Sequence, residues 1–165
     1  MKVRIFPALL MLLGALQVTC TRVDGQEEFE AEAFRPVSGF TRTSAIGQIQ
    51  HNDEDDWRIS PLYQQLVFLT PAYPNPTSGQ NVTLEVSLPA GTSLIRIDIF
   101  VISDNLPRRF ITSVEVSNTS FFEVISINPR WFSLTSSLND VRGLNRLLLY
   151  DARGRLISYG DIMVE

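Results

Sequence analysis

Asn81-Val82-Thr83-Leu84-Glu85-Val86-Ser87-Leu88 places an apolar side chain at every second position, with Thr83, Glu85 and Ser87 between them. Successive side chains of a strand point to opposite faces, so this stretch predicts a strand with one face buried and one in water. The same period extends in both directions. In Leu94–Ile102, Ile95, Ile97, Ile99 and Val101 form one face, and Arg96 and Asp98 sit on the other. In Arg109–Ser117, Phe110, Val114 and Val116 alternate with Ser113, Glu115 and Ser117. Phe121–Ile127 and Arg146–Tyr150 are apolar on both faces, as strands inside a sheet are. Leu62–Leu69 and Arg155–Val164 complete a set of about seven strands.

The connecting segments supply turn residues. Pro89-Ala90-Gly91, Asp104-Asn105-Leu106-Pro107 and Asp151-Ala152-Arg153-Gly154 carry the Gly, Pro, Asn and Asp that tight turns need, and Gly154 suits the left-handed position of a hairpin. Trp131, Leu134, Leu138 and Val141 are spaced for one face of a two-turn helix that Gly143 would end. Short strands at this spacing predict an all-β fold: an immunoglobulin- or fibronectin-type-III-like sandwich over residues 57–165, with the helical turn at one open end.

Charge divides the chain. Residues 20–56 hold nine carboxylates against three arginines, a net of −6, whereas residues 57–165 hold nine of each. Apolar residues are thin in residues 20–56 and show no sustained period, so this stretch is expected to be a flexible acidic tether. Neither part offers the basic face that phosphate neutralisation requires, which argues against nucleic acid as a partner. The run His51-Asn52-Asp53-Glu54-Asp55-Asp56 lacks the glycine and distal glutamate of an EF-hand loop. It is expected to be solvated, and no metal or cofactor is expected.

At the N-terminus Lys2 and Arg4 precede the apolar run Phe6–Leu16. That run is short of the roughly 20 residues of a membrane-spanning helix and fits the hydrophobic region of a secretory signal over residues 1–19. The sequence that follows, Leu16-Gln17-Val18-Thr19-Cys20, resembles a bacterial lipoprotein signal. The resemblance implies that the Cys20 thiol is the lipid attachment point and that the chain is anchored to a membrane. The alternative is ordinary cleavage, with Val18 and Cys20 as the small residues before the cut. Cys20 is the only cysteine, so no intramolecular disulfide is open to it.

Two further elements carry a second resemblance. Tyr73-Pro74-Asn75-Pro76 followed by Gly79, and the later Leu149-Tyr150-Asp151-Ala152-Arg153-Gly154-Arg155-Leu156-Ile157, are similar to the opening and closing elements of C-terminal sorting domains of type IX secretion in Bacteroidetes-related bacteria. The resemblance covers about residues 71–165. It implies the sandwich fold, an envelope or secreted location, and Tyr73, Pro74, Asn75, Pro76, Gly79, Asp151 and Gly154 as the motif residues.

The chain offers little for catalysis. His51 is its only histidine and lies in the acidic segment. Ser-His-Asp and Cys-His arrangements are therefore out of reach, and no phosphate-cradling glycine loop or His-Glu-x-x-His occurs. The expected function is that of a non-enzymatic outer-membrane lipoprotein whose sandwich binds another envelope protein or a polysaccharide. The alternatives are a type IX substrate whose C-terminal domain is mainly a sorting tag and, more distantly, a small glycan-cleaving enzyme.

Overall fold

The computed structural model describes residues 25–89, 95–103, 106–116 and 122–165. Residues 1–19, expected to be a signal, Cys20, and Ala90, Gly91, Asp104 and Asn105 of the expected turns lie outside the described residues. Strands β1 (Arg42–Thr43) and β2 (Ile49–His51) form a small hairpin. Strands β3 (Phe68–Leu69), β4 (Val82–Ser87) and β7 (Glu123–Ile127) form one sheet in the order β3-β4-β7. Strands β5 (Ile95–Ser103), β6 (Leu106–Val116), β8 (Gly143–Asp151) and β9 (Leu156–Val164) form a second in the order β6-β5-β8-β9. All neighbouring pairs are antiparallel. This three-plus-four arrangement is the expected all-β sandwich, and β3 to β9 fall on the strands read from the sequence.

The alternation in β4 does what its period requires. Val82, Leu84 and Val86 are buried, and Thr83, Glu85 and Ser87 are half-exposed. They pack with Ile125 and Ile127 of β7 against Ile97, Ile99 and Val101 of β5 and Leu147 and Leu149 of β8. Each such side chain contributes about 1.5–3 kcal/mol by leaving water. Trp57 completes this core and lies on Gly160 of β9, where a Cβ would run into the indole ring.

Residues 20–56 were expected to be a tether, but residues 25–56 are packed onto the sandwich. Helix α1 (residues 25–33) sets Gln26, Phe29 and Ala33 along one buried stripe. Phe29 and Ala33 cover Leu148, Tyr150, Leu156 and Tyr159 on the outer face of the four-stranded sheet. The hairpin is fastened in turn, since the Thr43 N–H donates to the Asn75 carbonyl at 2.8 Å. Glu27 and Glu28 of α1 face water, while Glu30 reaches the Leu156 N–H and Glu32 meets Arg58 at the flanks of the helix, so the segment looks like a polar linker when read by composition.

Four smaller expectations are also corrected. The start of Leu62–Leu69 is a run of turns, held by Tyr63 and Gln64 N–H bonds to the Ser60 carbonyl, and only Phe68–Leu69 pair as a strand. The expected two-turn helix is a pair of 3-10 turns, Pro129–Phe132 and Leu138–Val141. Phe132 and Val141 are buried there, while Trp131 and Leu134 face water. β7 lies at a sheet edge and exposes Val124. In β6 a bulge opposite Ile99 and Phe100 flips Phe110 to the outer face, away from the side of Val114 and Val116.

The free edge of β9 is covered. Trp57 N–H donates to the Tyr159 carbonyl at 2.8 Å and Ser60 N–H to Ile157 at 2.9 Å. Further along, Thr77 N–H donates to Met163 at 2.9 Å and Glu165 N–H returns a bond to Thr77 at 3.0 Å. An unpaired edge invites pairing with other chains, and these segments remove that opportunity along β9.

Candidate functional site

The motif residues work as fasteners. Asn75 is fully buried, and its Nδ2 donates to the carbonyls of Thr41 at 2.9 Å and Asp161 at 2.8 Å. Its Oδ1 accepts the Met163 N–H at 2.9 Å. One amide thus joins the hairpin, the Tyr-Pro-Asn-Pro stretch and β9. Tyr73 donates its hydroxyl to Glu85 of β4 at 2.6 Å, and Pro74 and Pro76 flank Asn75 half-buried. Gly79 has φ +104°, and a Cβ there would collide with Leu138.

The second element organises the β8–β9 hairpin. Asp151 Oδ1 accepts the N–H groups of Arg153 and Arg155, both at 2.8 Å. Its Oδ2 accepts the Arg155 guanidinium at 2.7 Å and the Tyr63 hydroxyl. Burial works against the charge on Asp151, but these donors outweigh it and hold the carboxyl below its usual range. Gly154 takes φ +77° as the turn requires. Asn75 therefore ties the end of β9 and Asp151 its start. The structure does not bring the two motif elements into one site.

A buried ionic network is the feature that sequence reasoning missed. Arg146 of β8 and Asp161 of β9 stand opposite each other, both about 3% exposed, and meet as a fork at 2.7 and 2.6 Å. The remaining Arg146 nitrogen donates to the carbonyls of Ala33 and Arg35 at the C-terminal end of α1. A cation is favoured there by the helix dipole. Asp56 accepts the Asp161 N–H at 2.9 Å and the Thr41 N–H at 2.6 Å. Burial, and then the neighbouring Asp161 charge, push the Asp56 carboxyl up to about 8. Burial pushes Asp161 up as well, against the pull of Arg146. A signal was available: Arg146 and Asp161 are the charges inside otherwise apolar strands.

The acidic run does not assemble a metal centre. No group of three or more His, Cys, Asp or Glu side chains converges among the described residues. His51 is exposed in β2, and Asp53 and Asp55 pair with each other, which raises the first and lowers the second.

Two surfaces among the described residues carry exposed aromatic side chains on a sheet face. On the outer face of the three-stranded sheet, Phe68, Phe122 and Val124 are each more than half exposed, beside Glu85 and Ser87. On the four-stranded sheet α1 stops short of β5 and β6. There Phe100, Phe110 and Tyr150 form an aromatic cluster under the Arg108 guanidinium. No protein-family model, curated protein or solved structure matches this chain.

Proposed function

We propose that this chain is a non-catalytic lipoprotein of a bacterial outer membrane, anchored through Cys20, whose sandwich binds another envelope protein. The observation that carries the reading is the apolar outer face of β3-β4-β7. Three large apolar side chains lie in water on one sheet face there, with Glu85 and Ser87 beside them. An exposed apolar patch rimmed by polar groups is a common mark of a protein contact.

The polar groups support the non-catalytic part. Asp98 is taken up by Arg96 and Ser113, Asp140 by Ser133 and Thr135, Asp151 by Arg155 and Tyr63, and Asp161 by Arg146. Carboxylates engaged in this way hold the fold and are poorly placed for acid–base work on a substrate.

A sorting tag is the second reading, favoured by the two motif elements. The extent of the folded unit argues for a standing module instead. Trp57, Tyr63 and Val67 belong to the main core, and β3 precedes Pro71. A tag cut at Pro71 would lose a strand and three core side chains.

The test is capture from envelope membranes by the full chain and by Phe122→Ser and Val124→Arg variants. Both positions are exposed, so the fold should persist. The proposal expects a protein that crosslinks to the wild type and is lost from both variants. Identical captured sets from all three chains would refute it.

A further inference from the structure

The open part of the four-stranded sheet carries a second site. Outer-face residues line up in two rows across its strands. Phe110, Phe100, Leu148 and Tyr159 form one row, and Ser113, Asp98, Tyr150 and Leu156 the next. Helix α1 covers the β8–β9 end of both rows and leaves the β5–β6 end bare. The Phe100 ring meets Phe110 at 5.4 Å and Tyr150 at 5.6 Å, both edge-on. Arg108 lies 4.9 Å above the Phe100 ring and 5.6 Å from that of Tyr150. Asp98, Phe100, Arg108, Tyr150 and the Asp151–Gly154 turn line an open cavity of about 280 Å³. Phe110 stands beside it, half exposed.

The charges decide what could enter. Asp98 is paired with Arg96 at 2.9 Å and bonded by Ser113 at 2.6 Å. Asp151 is paired with Arg155 at 2.7 Å. Both carboxylates of the cavity are thus matched one for one by arginines. Arg108 has no carboxylate within ion-pair distance among the described residues. The site therefore presents one available cation beside exposed aromatic surface. A guanidinium pairs a carboxylate through two parallel N–H bonds, and an aromatic face accepts the apolar face of a ring. A pyranose ring bearing a carboxylate satisfies both requirements, since it presents an apolar C–H face to the aromatic side chain and the acid to the guanidinium. A neutral sugar would leave Arg108 unanswered, and an aliphatic acid would leave Phe110 uncovered.

We propose that this cavity binds a uronic-acid residue of an acidic polysaccharide, with the sugar carboxylate on Arg108 and the ring against Phe110. The site lies on the other sheet from Phe122 and Val124, so it stands or falls apart from the protein contact. The experiment is titration calorimetry of the full chain in detergent. Hexameric oligogalacturonate and oligomannuronate are the probes, with the methyl ester of the first, neutral maltohexaose and hexaglutamate as comparisons. At least one uronate should bind, and more weakly as salt rises. Esterification, Arg108→Gln and Phe110→Ala should each weaken it by about tenfold or more, the scale of one lost contact of this kind. Both side chains are exposed, and unchanged circular dichroism and melting will show that the variants fold. Failure of both uronates to bind overturns the proposal. So does an ester that binds like the acid, a folded variant that binds like the wild type, or hexaglutamate that binds as well as the sugar.

Discussion

The Asn75 side chain donates to the backbone carbonyl of Asp161, 86 residues away in sequence, at 2.8 Å. Together with the bonds to Thr41 and Met163 it satisfies three backbone groups in a place closed to water. Asn75→Ala should leave all three unpaired. Each unpaired buried group costs about 1–3 kcal/mol, so a total of roughly 3 kcal/mol or more is expected in urea denaturation. A loss under about 1 kcal/mol would mean that water or a shift of the backbone replaces the amide.

The Asp56–Asp161–Arg146 network predicts an unusual pH dependence. The folded-state value of Asp56, about 8, lies far above its ordinary value of 3.8. The folded chain therefore binds a proton that the unfolded chain releases, so this contribution is complete below about pH 4 and is lost as pH climbs through about 8. The slope from one group is at most about 1.4 kcal/mol per pH unit. Asp161 is raised too and acts in the same direction. Asp98 and Asp151 are lowered, so their contributions vanish only at acid pH. Stability should peak in mildly acid solution and decline towards pH 8. Asp56→Asn removes the proton and should flatten that decline in chemical denaturation measured from pH 5 to 8. A variant that declines as steeply as the wild type would place the titration elsewhere.

Helix α1 offers a direct check on the packing of the acidic segment. Phe29 is 6% exposed, with its ring 5.1 Å from that of Tyr159 and Arg58 over its face. Phe29→Ala should cost roughly 3 kcal/mol or more if α1 unfolds with the sandwich. In limited proteolysis residues 25–56 of the wild type should survive as long as residues 57–165, and Phe29→Ala should shorten the life of the first segment. Early loss of residues 25–56 from the wild type would restore the tether.

The strands were legible because period two is a strong signal when one face is buried. β4 and the Ile97–Ile99–Val101 face of β5 follow it without exception. Phe110 was misplaced because a bulge shifts the alternation by one residue, and composition does not record an inserted residue. Helix α1 was missed for a different reason. Its buried stripe contains only Phe29, Ala33 and the amphipathic Gln26, too few apolar residues to outweigh five surrounding glutamates and aspartates by composition. The spacing of Phe29 and Ala33, four apart among good helix formers, was the available clue. The two open surfaces could not be read at all. Phe68 is far in sequence from Phe122 and Val124, and Arg108 reaches Phe100 only because β6 folds back on β5.

Cys20 decides where all of this takes place. A lipidated thiol makes Cys20 the first residue of the mature chain, carrying diacylglycerol and, in most such proteins, a third acyl chain on the amine. One acyl chain binds membranes only marginally, whereas two or more hold firmly. The wild type, expressed in a bacterium with the lipoprotein pathway, should stay with membranes through high salt, because salt screens charge and leaves apolar burial intact. It should also take up a clickable palmitate analogue. Cys20→Ser should lose the label and become soluble or retain its signal. The chain's single lysine is Lys2, so once the expected signal is removed an amine-reactive dye can report only a free N-terminus. Tri-acylated protein should stay dark with that dye. A wild-type chain that is soluble, takes up no palmitate and begins at Thr21 would end the lipoprotein reading, and the glycan and protein contacts proposed above would then belong to a secreted protein.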